Sequence, residues 1–526
     1  MTNSPQSAIP YASYFERHLE GRLAKAPTDR NTPISVITTV YTKTNVALFL
    51  ETAKSIKAQT VTPHEWLVLS HGAISDDLST ALERLRDEGV LRWLTLDENL
   101  GIQGGLRYCL EQATGEFVLS LDADDLLTPD AIALLSDAAA VSPETLAFYS
   151  DEDILVDDVP VHPFYRPAFD PVHFFSHSYI WHCILFHRAT ALELDVYTNA
   201  QTEYAQDWDL LIRFVRAGHE PGHIPEVLYH WRHHQSSLSN SGSLFDGSVR
   251  SVKGCLDAIR LGDYADLLSI EEYPIGPPAS DFYLRRSASH VPPCLLLTMS
   301  DSEDVHSAGI EGDIFSRSAH VQADRGTKGL HALKEAIEDS REALVCLRND
   351  TVTDFEQLGI LQAFKHLELV PSVQVVSGML SSKLGTVVHG PVVRLDGRFS
   401  DLSAGRPAIG NNAHMFNIWK PHCVDLPCLD LMIARREFLL DALAAAPANL
   451  ALRSLAWWLG RTACRTRQRV AFEPLFMGFV TDETKLTGDP PTSLLRSEAA
   501  FGPSDLHGSP PRGLSRIAGM SVHHTR

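Results

Sequence analysis

Basic residues are in deficit in this chain: 45 Lys and Arg stand against 66 Asp and Glu over 526 residues, a formal net charge of −21. A protein that wraps nucleic acid needs clustered Lys and Arg for phosphates, so that class is excluded as the main function, though a local basic pocket is not. Eight cysteines are scattered without a C-x-x-C pair, and only Cys423 and Cys428 lie close together, which indicates neither a zinc module nor a disulfide framework. Reduced thiols in a cytosolic protein are the simplest reading. Long apolar runs are also missing. The first thirty residues carry Glu16, Arg17, Glu20, Arg22 and Lys25 without a signal-peptide core, and the best membrane candidate, 438–459, is interrupted by Asp441, Pro447, Asn449 and Arg453. The expectation is therefore a cytoplasmic protein without a membrane span.

What is present begins with alternation. From Pro33 the chain reads as strand and helix by turns: β-branched 34–40, a helical period over 46–57, apolar 66–69, helical 80–85, strand-like 91–96, helical 104–113. Such alternation predicts a mostly parallel sheet covered by helices on both faces. The run Gly115-Glu-Phe-Val-Leu-Ser-Leu-Asp-Ala-Asp-Asp125 then places Asp122, Asp124 and Asp125 at the carboxyl end of a buried strand, where open α/β sheets keep their ligand crevices. Hard divalent cations are held by one or two carboxylates together with substrate phosphates, so this run outlines a metal and diphosphate site. Read alone, it is equally an Asp-rich turn starting a helix near Pro129.

Further elements follow in order: Tyr149-Ser-Asp-Glu-Asp153, a Pro-rich stretch through Pro160, Pro163, Pro167 and Pro171 expected to break regular structure, Ala205-Gln-Asp-Trp-Asp-Leu210 opening a helix, and Ile224 to Ser236 with Tyr229-His-Trp-Arg-His-His234. With Ile34 to Tyr41 and Ala113 to Asp125, this ordered set resembles glycosyltransferase family 2, in particular the bacterial enzymes that build O-antigen and related surface polysaccharides. Members read like a "VSVIIPTYN" strand, an "ATGEF…LDxDD" strand, a "YSDED" turn, an "SQDYDLxLR" helix start and an "IPxVLYHWRxHxxS" end. One such motif is weak and five in sequence are strong.

The resemblance implies a GT-A fold of the α/β class and an inverting, metal-dependent transfer from a nucleotide-diphosphate sugar donor to a glycan or lipid-linked glycan acceptor. It implies Asp122 and Asp124 at the donor ribose and at Mg2+ or Mn2+, with Asp125 behind them or sharing the ion. His230 completes the metal site in that reading, with His233 and His234 as competitors. Asp207 is implied as general base, with Asp209 the nearer alternative and a helix cap the structural one. Thr39 and Tyr41 end the first strand where a nucleoside is received. Arg232 is a candidate for the diphosphate, against a surface salt bridge, and Arg107 another, against a residue that merely covers its helix. His71 stands in Ser70-His-Gly-Ala73 where relatives carry Asp-Asp-Gly-Ser, so nucleobase recognition departs from the family at that point. His182, after Trp181, is read as a pocket lining or a hydrogen-bonded core histidine. Asp151, Glu152 and Asp153 are read as an acceptor-facing or simply solvated acidic turn.

Domain expectations are an N-terminal extension over 1–32, the catalytic domain over 33–262, a linker over 263–290, a degenerate glycosyltransferase-like domain over 291–484 and a disordered tail over 485–526. In the degenerate half the acidic motif reads Leu347-Arg-Asn-Asp350, and Leu455-Ala-Trp-Trp-Leu459 stands where a second acidic helix start belongs. A peripheral seat at the inner face of the cell membrane and a homodimer are compatible with the resemblance. The competing reading is a catalytically impaired nucleotide-sugar or glycan-binding protein. A nucleotidyltransferase would carry a Gly-rich Lys/Arg signature at the first strand, and 34–43 has none.

Overall fold

A computed structural model of the chain describes residues 10–24, 32–233, 242–262, 264–274, 281–300, 314–322, 324, 326–353, 356–395, 398–401 and 420–487. His234 and the expected tail beyond 487 lie outside the described residues. The chain divides into two compact units, one containing 10–169 and 178–259, the other 170–177 and 260–487.

The first unit contains α1 (Tyr11–Leu23), β1 (Ile34–Val40), α2 (Val46–Lys57), β2 (Glu65–His71), α3 (Asp76–Asp87), β3 (Arg92–Leu96), α4 (Gly101–Gln112), β4 (Phe117–Ser120), the short β5 (Leu126–Leu127), α5 (Ala131–Val141), β6 (Ala147–Val156) and β7 (Val159–Phe164). After α6 (Pro171–Phe174), whose residues belong to the second unit, it continues with β8 (Ile184–His187), α7 (Arg188–Glu193), α8 (Gln206–Arg216), β9 (Gly222–Arg232) and α9 (Gly242–Arg260). Strand order is β3-β2-β1-β4-β8-β6-β9-β5, with β7 on β6. β3, β2, β1 and β4 run parallel, β8 is antiparallel to β4 and β6, and β9 is parallel to β6.

The apolar runs read from the sequence become strands because both faces are covered: Val36, Ile37, Leu67, Val68, Val118 and Leu119 are all fully buried. Asn45 accepts hydrogen bonds from the N–H groups of Ala47 and Leu48 and so starts α2; Ser75 does the same for α3 through Leu78. β1 lies between β2 and β4, so the chain leaves it in opposite directions, and a crevice opens at the carboxyl ends of β1 and β4.

Two stretches differ from the sequence expectation. The Pro-rich segment forms β7, which pairs only with β6, and an edge strand tolerates Pro160 and Pro163 because a missing N–H there breaks no second ladder. The Asp151-Glu-Asp153 run is the middle of β6 and is buried. Each carboxylate meets a histidine: Asp151 with His223 (2.8 Å), Glu152 with His182 (2.9 Å) and Asp153 with His230 (2.5 Å). A strand period of two sends Glu152 to the face opposite its neighbours, so one acidic run serves two sides of the sheet.

The second unit holds β10 (Leu268–Glu272), β11 (Phe282–Arg286), β12 (Cys294–Ser300), β13 (Arg317–Gln322), α10 (Thr327–Glu338), β14 (Leu344–Asn349), β15 (Val352–Thr353), α11 (Gln357–Leu369) and β16 (Val373–Ser382). It goes on with β17 (Val387–His389), β18 (Val392–Leu395), β19 (Arg398–Asp401), β20 (His422–Val424), β21 (Leu431–Arg435), α12 (Arg436–Ala444), α13 (Leu455–Arg465) and β22 (Arg469–Val480). Its main sheet runs β13-β12-β14-β21-β16-β22-β15, with β17 on β16 and β20 on β22. Taken strand by strand, this repeats β2-β1-β4-β8-β6-β9-β5 with β7 on β6, in order and in every parallel or antiparallel sense. β3 has no counterpart among the described residues. The stretch expected as a linker contains the antiparallel pair β10–β11, where Phe282, Tyr283 and Leu284 are buried.

Candidate active site

Leu121 is buried at the end of β4, and the chain then turns through Asp122 to Asp125 before β5 pairs with β9. Asp125 is fixed from two sides: the Tyr229 hydroxyl donates to Oδ2 (2.7 Å) and the Arg232 backbone N–H donates to Oδ1 (2.7 Å). The Tyr229 oxygen in turn accepts from the Asp122 N–H (3.3 Å). Asp122 is open to solvent but ringed by protein on its other sides, and that crowding, with the charge of Asp124, raises its carboxyl above the usual range. Burial raises Asp125 well above it, with Asp122 adding repulsion.

His182 lies against this pair. Its Nδ1 is 2.9 Å from Glu152 Oε2, and its ring stacks on Tyr229 at 5.0 Å and 7°. Burial alone would lower the imidazole; Glu152, with Asp125 and Asp122, overrides it and holds the group up at about 9. Glu152 is buried, yet the ion pair with Arg166 (2.9 Å) and the contact with His182 bring its carboxyl down to about 2. The next residue, Cys183, is buried at φ 52°, a left-handed conformation that turns the chain from His182 into β8.

Asp207 is the second residue of α8, whose N-cap position is Ala205 with no side-chain capping bond, so the cap alternative does not describe it. Its Oδ1 accepts from the Trp208 N–H (3.0 Å). Burial pushes its carboxyl up to about 7, against His182 and the Trp208 N–H. Asp209 is buried and paired with Arg213 (2.7 Å) on the same helix. A cavity of about 370 Å³ brings Asp122, His182 and Asp207 together, walled by Trp181, Tyr197, Tyr204, Tyr229 and Trp231. An apolar wall with a few convergent titratable groups is the ordinary character of a small-molecule site.

The other expected residues are distributed around this centre. Asp124 lies near Tyr41, whose hydroxyl is raised by burial and then by that charge. Thr39 and His71 meet under α4 at Gly105, where an added Cβ would fall 3.0 Å from Thr39 Cγ2 and 3.2 Å from the His71 ring. His71 is 4% exposed, and its Nδ1 accepts from the Leu100 N–H (3.2 Å), so it supports the helix. Arg107 pairs with Glu111 (2.7 Å) and donates to the Val196 carbonyl (3.2 Å). Arg232 donates from Nε to the Asp124 carbonyl (3.0 Å) and pairs with Asp158; its Nη2 is buried without a partner among the described residues.

His230 is placed elsewhere. Its Nδ1 faces Asp153 Oδ1 and its ring meets the edge of Phe15 on α1 at 5.2 Å, while Tyr11 of the same helix donates to Asp153 Oδ2 (2.8 Å). Tyr229 and Trp231, one position to either side, line the cavity. Alternation along β9 separates them. The groups that could hold an ion together, among the described residues, are Asp122, Asp125 and His182, with one ligand atom from each within 4.8 Å of the others. Two carboxylates and an imidazole fit a divalent cation. Arg166 was not singled out from the sequence, Glu152 was read only within an acidic turn and Tyr229 and Trp231 only within the 229–234 motif; the signal available for Glu152 was the two-residue period of 149–156.

Residues 35–187 match the family model Glycosyl transferase family 2. Among curated relatives, O-antigen biosynthesis protein RfbC of Myxococcus xanthus is 28% identical over 252 residues, covering 47% of this chain and 20% of that protein. The amylovoran biosynthesis glycosyltransferase AmsE of Erwinia amylovora is 23% identical over 206 residues, covering 37% of this chain and 74% of that protein. The chain spans about a fifth of the length of the first curated relatives it matches. Among solved structures, S. aureus TarS 1-349 in complex with UDP-GlcNAc is 18% identical with a TM-score of 0.36, covering 45% of this chain and 69% of that one. No helix among the described residues is long and apolar enough to cross a membrane.

Proposed function

We propose that the first unit transfers a sugar, with inversion, from a nucleotide-diphosphate donor to a hydroxyl of a growing bacterial surface glycan. The observation that carries this reading is Asp207, poised near pH 7 in the same cavity as Asp122. A general base works best when its pKa lies near the operating pH. Asp207 takes the proton from the acceptor hydroxyl as that oxygen attacks the anomeric carbon from the face opposite the departing diphosphate. A bound Mg2+ or Mn2+ supplies neutralisation of the charge that gathers on the leaving group. Asp122, with its acidic neighbours Asp124 and Asp125, would hold it. The buried Nη2 of Arg232 is an N–H donor suited to a diphosphate oxygen, and Thr39 and Tyr41 receive the nucleoside at the end of β1.

The names of the curated relatives, which speak of O-antigen and amylovoran biosynthesis, support a surface-glycan acceptor; we take that acceptor as a glycan or lipid-linked glycan and seat the protein in the cytoplasm, peripherally at the membrane. The second unit, in this reading, is a degenerate glycosyltransferase-like domain without transfer activity. A second reading, a binder of nucleotide sugar or glycan without turnover, has His71 in its favour, since the ring is committed to α4. The test is a screen of nucleotide sugars for Mn2+- or Mg2+-dependent stabilisation and hydrolysis in wild type, Asp124→Ala and Asp207→Asn. Donor binding without hydrolysis in wild type selects the binder; activity that survives both substitutions places the chemistry elsewhere.

A further inference from the structure

We propose that α1, which lies outside the residues that match the family model, is part of the active unit, with Tyr11 and Arg22 as positioning residues that fix β9 and so set Tyr229 and Trp231 against the cavity. This assignment rests on the transferase reading of that cavity. β9 needs such a support because its ladder to β6 is irregular. While β6 advances from Ser150 to Glu152, β9 advances from Ile224 to Tyr229, with register shifts on both sides of Asp151. Bulged residues leave the ladder and re-aim the side chains that follow, and bulges are common beside active sites. Backbone pairing alone therefore does not decide which residues of 229–231 face the cavity; a slip of one would put His230 there in place of Tyr229 and Trp231.

Two groups of contacts from α1 meet this stretch. Near the end of the helix, Arg22 donates to the Val227 carbonyl (3.1 Å) and pairs with Glu226 (3.2 Å) inside the bulge, while its Nη2 pairs with Asp130 (2.8 Å) just beyond β5. His18 adds a contact to Glu226 (2.6 Å). Near the start of the helix, Tyr11 donates to one oxygen of Asp153, whose other oxygen faces His230 Nδ1, and Phe15 meets the His230 ring. Burial and then the charge of Asp153 raise the Tyr11 hydroxyl, so it keeps the proton it donates. Asp153 is thus shared between α1 and β9 directly after the bulge. One position away on the same strands, Glu152 holds His182, and Tyr229 and Trp231 line the cavity. Arg22, Asp130, Asp153 and His230 are all buried, where salt screens charges little. In the second unit Ser382 and Val480 take the places of Asp153 and His230, so the charged tie accompanies the cavity and not the fold.

Fluorine NMR of the full chain labelled with fluorotryptophan tests this without substrate, since the Trp231 resonance, assigned by its loss in Trp231→Phe, reports the cavity wall. Tyr11→Phe and Arg22→Gln should each shift or broaden that resonance, and Arg17→Ala, on the exposed side of the helix, should leave it in place. With the donor and acceptor found by screening, Tyr11→Phe should lower kcat by about tenfold per folded molecule, because small misplacements of the groups around a reacting centre are costly. A helix that only adds stability would lower the melt and move neither reading. Circular dichroism melts verify folding, and if Arg22→Gln does not fold, Tyr11→Phe decides. An unmoved Trp231 resonance in folded Tyr11→Phe overturns the proposal, as does an unchanged kcat; with wild type turning over, either result leaves the transferase reading intact. A moved resonance in a protein that turns over no nucleotide sugar keeps the link from α1 to the cavity and rejects transfer.

Discussion

The two units repeat one strand order and differ at the end of one strand. β4 pairs with β1 from Phe117 as β14 pairs with β12 from Leu344, and counting on from there sets Asn349 where Asp122 stands. Three residues, Ala123 to Asp125, then lead to β5; only Asp350 and Thr351 lead to β15. Opposite that turn, Tyr229 of β9 is answered by Phe479 of β22, and Glu152 by Ser381. The second residue of α8 is Asp207 and of α13 is Ala456. Counting back from the last residues of β8 and β21, Asp430 takes the place of His182.

The second unit closes this crevice with its own chain. Asn349 Nδ2 donates to the Lys485 carbonyl (3.0 Å) and Thr487 Oγ1 (3.0 Å), its Oδ1 accepts from the Thr351 N–H (2.9 Å), and the Thr487 N–H donates to Asp430 Oδ1 (2.6 Å). In the first unit the same region is a cavity with mutually repelling carboxylates. One fold thus supports either a satisfied, filled crevice or an open one whose polar groups await partners.

The comparison breaks most sharply at Asp207. Asp207→Asn should lower turnover by about 10²–10⁴-fold, whereas Ala456→Asp in the second unit should add none; steady-state rates with the donor found by screening check both. Wild-type kcat/KM should rise with pH through about 7 as Asp207 loses its proton, and the rise should vanish in the variant. The linkage has the opposite sign for stability. Because the folded-state value lies above the unfolded one near 3.8, the contribution of Asp207 is fully present below about pH 4 and is lost as pH rises through about 7. Asp207→Asn should therefore melt higher than wild type above pH 7, and a lower melt there would contradict the raised carboxyl.

Next in size is the core of the second unit. Trp457 is buried in its main apolar cluster, so Trp457→Ala should cost about 3–5 kcal/mol in denaturant unfolding. Rates per folded molecule should stay unchanged if that unit takes no part in chemistry. Tyr229→Phe rebuilds Phe479 in the first unit and removes the donor to Asp125; a loss of about 1–3 kcal/mol together with weaker Mn2+ binding is expected, by melts and metal titration. The smallest effect belongs to Ser300→Ala. Ser300 Oγ donates to Asp350 Oδ2 at 2.6 Å, and its loss should cost about 1 kcal/mol with no change in turnover.

Much of the first unit was legible in the sequence. The helix read over 46–57 is α2, and the β-branched run 34–40 is β1, since local periodicity and both-face burial agree there. The Asp122 strand end and the Asp207 helix start were legible as places, and the cavity joins them. Less legible was which histidine faces the acids. The linear reading put His230 at the metal and His182 in a pocket lining or the core; the structure instead sets His182 on Glu152 beside the acids and His230 on Asp153. Helix α1 was read only as an extension, yet Arg22 bonds Asp130 (2.8 Å) and the Val227 carbonyl (3.1 Å), contacts more than 100 residues away along the chain.

The sequence by itself determined the alternation of strand and helix, the position of Asp122, Asp124 and Asp207 at element ends, and the loss of acids in the second half, because each depends on residue type and short spacing. Only the tertiary structure decided that Asp151 to Asp153 are buried, that Tyr229 links Asp125 to His182, and that Lys485 to Thr487 fill the second crevice. Those outcomes depend on strand register and on contacts between distant segments, where a shift of one residue exchanges the two faces of a strand.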